Sequence, residues 1–228
     1  MREPAGDLLV AGLETVEDDS ESVAKAVAGG VCHRAKNDLQ TIANILSLAG
    51  PLAQNPEDLA EAVEGRVVAL SVCYTLVAEK WEPPHLDRLA EEILRRDLWR
   101  ASAQTRVERQ LDPLELSLRL CSPLSLWLHE MIINSLEHGL TAVSRPVLRL
   151  TGRAEQGGLL LQVADNGPGL PADFDLAAKS RLGLRLAKAV ASIDLRGRME
   201  LRNTEPGLEA SLWVPQAEFA ALNRETWR

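Results

Sequence analysis

The stretch of this chain best equipped for chemistry is Asp165-Asn-Gly-Pro-Gly169. It follows an apolar run, 159–163, that reads as a buried strand, and it breaks at once into turn residues. Asp165, at the strand end, can accept a hydrogen bond from an exocyclic amine such as adenine N6. Gly167 and Gly169 let the backbone approach a flat ring or a phosphate with no Cβ in the way. Upstream, Glu130, Asn134 and His138 recur at i, i+4 and i+8 on one helix face, which Glu137 shares. The side-chain oxygen of Asn134 suits a hard cation such as Mg²⁺ held beside phosphate oxygens. Downstream, Gly183 in Arg181-Leu-Gly-Leu184 opens a helix whose free N–H groups can receive phosphate. Alone, each stretch has an ordinary structural reading: a strand-to-turn junction, a solvated helix face, a helix start.

The elements that must hold these residues follow from periodicity. Residues 21–49 form a long helical pattern in which Val31, Ala35, Leu39, Ile42, Leu46 and Ala49 make an apolar stripe. The opposite face carries His33, Asn37, Gln40, Asn44 and Ser47. Gly50-Pro51 ends that helix, and Asn55-Pro-Glu-Asp58 starts a second, over about 56–80, with Gly65 a mild weak point. Two helices on a short loop make an antiparallel hairpin. One hairpin leaves an apolar face uncovered, so two copies are expected to form a four-helix bundle as a homodimer. Beyond the stiff Glu82-Pro-Pro84 linker, helices are expected over 86–99, from Ser122-Pro123 to Gly139, and over 182–193. Strands are expected over 106–110, 114–120, 146–153, 158–165, 197–203 and 208–214. The fold class is thus α+β, with two helices lying over a mixed sheet. The expected divisions are a flexible segment (1–20), a helical hairpin domain (21–82), an α/β domain (83–216) and a tail (217–228).

The order of these stretches makes a resemblance specific. Glu130-Met-Ile-Ile-Asn134, Asp165-Asn-Gly-Pro-Gly-Leu-Pro171 and Leu182-Gly-Leu-Arg-Leu186 resemble the N box and two glycine boxes of the GHKL ATP-binding domain. His33-Arg-Ala-Lys-Asn-Asp-Leu-Gln40 resembles the phosphoacceptor motif of sensor histidine kinases related to the HWE subfamily. The resemblance implies ATP and Mg²⁺ as cofactors, an α/β-sandwich ATP domain, and phosphorylation of His33 followed by transfer to an aspartate on a response-regulator receiver domain. It further implies that Asn134 helps hold Mg²⁺, that Asp165 reads adenine, and that Gly167, Gly169 and Gly183, the last flanked by Leu182 and Leu184, close the nucleotide loops. His138 joins the ATP-binding set. Arg34, Lys36 and Asn37 flank the phosphoacceptor, and Arg34 and Lys36 can steady a phosphoryl group.

Three departures stand out. Arg34 follows His33 where most histidine kinases have an acidic residue, and Asp38 points about 140° away on the helical wheel. The base is therefore unassigned, with Glu130 a candidate. Glu137 stands where the family often has a basic residue. Its carboxylate is expected to repel the triphosphate unless Arg145, Lys179 or Arg181 neutralises it. Arg181 replaces a small residue. These departures keep open a histidine phosphotransfer or docking protein with a weak or degenerate ATP-binding domain; a GHKL serine kinase acting as an anti-sigma factor would have no need of the His33 hairpin.

Composition bounds the rest. A net charge of −8 over 228 residues and a pI near 5.1 argue against nucleic acid or an anionic membrane as the general partner. No apolar run is long enough to insert into a membrane, and the acidic N-terminus lacks a signal-peptide pattern, so a cytoplasmic address is expected. With little sequence before residue 25, a sensor domain is expected to be absent, removed or supplied by a separate sensor protein. Cys32, Cys73 and Cys121 lack metal-ligand spacing and are expected to be reduced thiols. His85 and His129 are expected to be structural or surface residues.

Overall fold

A computed structural model describes residues 32, 35–44, 46–47, 56–80, 84–102, 104–155, 157–171, 174 and 182–223. The helices are α1 (residues 35–44), α2 (Pro56–Lys80), α3 (Leu86–Asp97), α4 (Leu118–Asn134), α5 (Leu182–Ala189) and α6 (Gln216–Asn223). The strands are β1 (Arg106–Leu111), β2 (Val147–Glu155), β3 (Gly158–Asp165), β4 (Arg198–Thr204) and β5 (Gly207–Pro215).

The strands form one sheet in the order β1-β2-β3-β5-β4, with β1 parallel to β2 and every other pairing antiparallel. Alternation sets its two faces. Leu159, Leu161 and Val163 of β3 and Leu208, Ala210, Leu212 and Val214 of β5 are buried, and the residues between them mostly are not. The buried face lies under the helices in a two-layer sandwich. At the outer edge, β4 exposes Arg198, Glu200 and Arg202, charges that discourage further strand pairing.

Helix α4 is buried on all sides from Leu120 to Ile132. Its apolar residues share one core with the sheet, with Leu86, Leu89 and Ile93 of α3, and with Ala69, Leu70 and Val72 of α2. The sequence pattern placed a strand over 114–120 and the helix start at Ser122-Pro123. The structure corrects both. Glu115 makes a single bridge to His85, and Ser117 caps α4, its Oγ accepting from the Leu120 N–H at 3.3 Å. Leu114–Leu120 alternates like a strand only because its apolar residues are shared between a loop and the first turn of α4. Ser117 Oγ also donates to the Leu222 carbonyl at 2.7 Å. Asn223 Oδ1 accepts from the Ser117 N–H at 2.6 Å, so α6, which falls in the expected tail, is pinned to the start of α4.

In the hairpin, α1 turns Asp38 inward. Tyr74 Oη of α2 donates to Asp38 Oδ2 at 2.6 Å, and Ser122 Oγ of α4 donates to the same oxygen at 3.0 Å. Leu39 and Leu46 of the predicted stripe remain 66% and 44% exposed. Ile42 of the same stripe packs against the core. Gly65 has a packing reason: a Cβ there would sit 2.8 Å from His129 Nε2. His129 is structural, buried and bonded through Nδ1 to Asp97 at 3.0 Å.

The expectation of reduced thiols is overturned for one pair. Cys73 of α2 and Cys121 of α4 are disulfide-bonded, with Cα atoms 5.9 Å apart across 48 residues of sequence. The close packing of α2 on α4 brings them together, which no local spacing could signal. Cys32 is free and exposed. Among the described residues no helix is long and apolar enough to cross a membrane.

Candidate nucleotide site

A cavity of about 560 Å³ opens between the C-terminal end of α4, the loop after β3 and the start of α5. It gathers most of the residues singled out from sequence. Glu130, Asn134 and His138 line one wall, Asp165 and Gly169 another, and Leu182, Gly183 and Leu184 close the far end. Gly167 is not in the lining. Its lack of a Cβ serves packing instead, because a Cβ there would meet the Gly139 carbonyl oxygen. Lys36 and Asn37 are exposed on α1, away from the cavity lining. His33, Arg34, Lys179 and Arg181 lie outside the described residues.

Asp165 is only 6% exposed and is aimed by two donors. Ser135 Oγ donates to Oδ2 at 2.9 Å and the Gly167 N–H donates to Oδ1 at 2.9 Å. Ser135 escaped the sequence reading. It opens a π-helical turn, Ser135–Gly139, that continues α4. The wider turn, closed by the Leu140 N–H to the Ser135 carbonyl at 2.8 Å, points Ser135 at the strand end. Gly139, read only as a helix stop, lets the Asp165 carboxylate approach: a Cβ there would lie 2.7 Å from Oδ2. Asn166 is structural, accepting from the Val147 N–H at 2.8 Å and donating to the Arg145 carbonyl at 2.9 Å. Gly169 has φ +74°, which favours glycine. Asn203 clamps the loop beside it through the Leu170 N–H at 2.7 Å and carbonyl at 2.9 Å.

Charge at the other end departs from expectation. The Glu137 carboxylate is paired with Arg100, at 2.6 Å, a partner that was not among those named from sequence. Arg100 sits just past α3 and stacks its guanidinium on Trp99 at 4.6 Å. The predicted repulsion of a triphosphate is correspondingly reduced. Glu130, 5% exposed, is paired with Arg66 of α2: Nε stands 2.6 Å from Oε1 and Nη2 donates to Oε2 at 3.0 Å. Nothing local marked Arg66 as part of the site, since it lies 64 residues away on the hairpin.

These residues fit a magnesium nucleotide. Asp165 is a buried acceptor that can take an exocyclic amine. Asn134 offers an oxygen in the cavity, and Mg²⁺ commonly binds through few protein ligands, phosphates and water. Among the described residues no cluster of three His, Cys, Asp or Glu side chains could hold a metal alone.

The architecture is a two-layer α/β domain with such a pocket, packed against the helices α1 and α2. Comparison with known proteins shows what the chain is similar to. Residues 31–111 match the HWE histidine kinase family. The sensor histidine kinase PdtaS of Mycobacterium tuberculosis is 29% identical over 191 residues, covering 80% of this chain and 38% of that protein. The blue-light-activated histidine kinase of Rhizobium johnstonii is 28% identical over 188 residues, covering 82% and 52%. The chain thus spans about half or less of the length of these relatives. The fold matches the histidine kinase domain of a blue-light-activated histidine kinase from Erythrobacter litoralis, with a TM-score of 0.63 at 20% identity over 91% of this chain and 98% of that one. The chain is thus similar over residues 31–111 to the HWE histidine kinase family, and it shares the fold of a histidine kinase domain.

Proposed function

We infer that this chain transfers the γ-phosphoryl group of ATP to His33 and then to an aspartate of a response-regulator receiver domain. The observation that carries this reading is Asp165. A carboxylate buried at the cavity wall and aimed by Ser135 and Gly167 suits an adenine amine. Asn134 and the N-terminus of α5 at Gly183 lie in the same cavity, where phosphates and Mg²⁺ would be held.

A nitrogen of neutral His33 attacks the γ-phosphorus, the bond to the β–γ bridging oxygen breaks, and ADP leaves with that oxygen. The imidazole proton passes to a base, for which Glu130 is the carboxylate in the cavity. Catalysis of this kind rests on in-line positioning and neutralised charge. Arg34 and Lys36 supply charge beside His33, and Asn37 a polar neighbour. The exposed Leu39 of α1, Leu46 beyond it and Val67 of α2 favour a homodimer formed through the hairpin. Use of ATP fits a cytoplasmic address.

A second reading, a phosphotransfer or docking protein that scarcely uses ATP, is favoured by the Arg66–Glu130 pair, which occupies the candidate base. Incubation with γ-labelled ATP and Mg²⁺ separates the two. Acid-labile label on the wild-type chain, absent from His33→Gln, is the expected result. Label persisting on the variant, or acid-stable label, refutes the histidine kinase reading; no label on a chain that accepts phosphate from another kinase favours the second.

A further inference from the structure

The cavity carries an imbalance of charge. Glu130, Glu137 and Asp165 all line it, while Arg66 is the only arginine or lysine among the described lining residues. A triphosphate brings further negative charge, and a site that accepts it needs a cation near the phosphate end. Arg66 stands at that end. Its Nη2 lies 3.5 Å from where a Cβ on Gly183 would be, at the opening of α5. The guanidinium thus stands beside the first turn of α5, the positive end of that helix's dipole. Arg66 there faces the carboxylate of Glu130, whose Oε2 would be met by the same Cβ.

We propose that Arg66 is a phosphate-binding residue of the nucleotide site, contributed by the hairpin and not by the ATP-binding domain, and that bound nucleotide takes it from Glu130. The inference rests on the reading of the cavity as a nucleotide site and adds to it that the site is composite. Arginine suits this exchange, because its planar fork accommodates a carboxylate or a phosphate edge with similar geometry. Arg66 is held on α2 by a nearly buried side chain, 11% exposed, so its position depends on α2 remaining packed against α4. Nucleotide with phosphates then favours the docked arrangement of hairpin and ATP domain, and nucleoside without phosphates does not.

Calorimetry on the full chain, with ATP and with adenosine as probes, tests this. Arg66→Gln alone strands a buried carboxylate and endangers folding. The comparison is therefore between Glu130→Gln, which leaves Arg66 in place, and the isosteric pair Arg66→Gln/Glu130→Gln, which is neutral at both positions. The expected result is ATP affinity weaker by at least about fivefold in the double variant than in Glu130→Gln, with adenosine affinity equal in the two. Arg66→Lys in the wild-type background keeps the charge and should retain part of the affinity. Equal ATP affinity in Glu130→Gln and the double variant overturns the role of Arg66 while leaving the nucleotide site standing. A wild-type chain that binds neither ATP nor adenosine overturns the nucleotide reading and this inference with it.

Discussion

Replacing Gly139 by alanine tests whether the orientation of Asp165 governs nucleotide recognition. The added Cβ would lie 2.7 Å from Asp165 Oδ2 and 2.8 Å from its Cγ. An ordinary contact of about 3.4 Å requires the carboxylate to retreat by about 0.7 Å. Its bonds to Ser135 and to the Gly167 N–H, each 2.9 Å, would then stretch toward about 3.6 Å, which is no longer a hydrogen bond. Each bond to a charged acceptor is worth about 1.5–3 kcal/mol, so the fold should lose on the order of 3–6 kcal/mol if it does not relax elsewhere. Loss of the acceptor for the adenine amine adds about 1–3 kcal/mol to the binding free energy, or roughly 5- to 150-fold in Kd. The assay is titration with ATP and, in parallel, with inorganic tripolyphosphate, alongside thermal unfolding. Gly139→Ala should weaken ATP and leave tripolyphosphate unchanged. ATP affinity and Tm both equal to wild type would refute the argument, because the carboxylate would then have found its place despite the methyl group.

Other expectations are simpler. Leu39→Glu/Leu46→Glu, which places charges on the uncovered hairpin face, should convert a dimer to monomers in light scattering; an unchanged dimer would locate the interface elsewhere. Asp38→Ala, which strands the hydroxyls of Tyr74 and Ser122, should lower unfolding free energy by about 2–4 kcal/mol, and Tyr74→Phe by less, as denaturant titration would report. Hydrogen bonding and charge from Arg95 and Arg96 hold the Glu92 carboxyl below the usual carboxylate range. Its contribution is therefore full above the unfolded carboxylate range and lost as pH falls through the folded-state value. Glu92→Gln should cost about 0.3–1 kcal/mol near neutral pH and nothing in strong acid; a cost that persists there would assign the effect to packing.

What the sequence conveyed and what it did not divide along a physical line. That Asp165, Gly169 and Gly183 would stand at a strand end, a turn and a helix start was legible because such features are local, and helical spacing placed Asn134 on the same helix as Glu130. Helices α2 and α3 and most strands were legible by periodicity. Ser135 and Gly139 were hidden because their role depends on a π-turn, which a period of 3.6 does not encode. The strand expected over 114–120 failed because an apolar alternation can also arise where a loop runs into the first turn of a helix. Arg66, the Cys73–Cys121 bond and the inward turn of Asp38 belong to the contact between hairpin and sheet domain, and contacts across such separations write nothing into local sequence.

Helix α4 carries at one end the hydrogen bond from Ser122 to Asp38, and at the other Asn134 in the cavity. Ser122 and Asn134 are twelve residues apart, about 18 Å along the axis at 1.5 Å per residue. Between them, Glu130 meets Arg66 and His129 meets Asp97. The helix therefore behaves as an axle shared by two assemblies. Side-chain tips ride about 5–6 Å from its axis, so a roll of about 10° displaces them by roughly 1 Å. That is enough to break a hydrogen bond at either end. A torque applied by the hairpin at Ser122 would reach Asn134 as a change in the angle at which its oxygen faces the cavity.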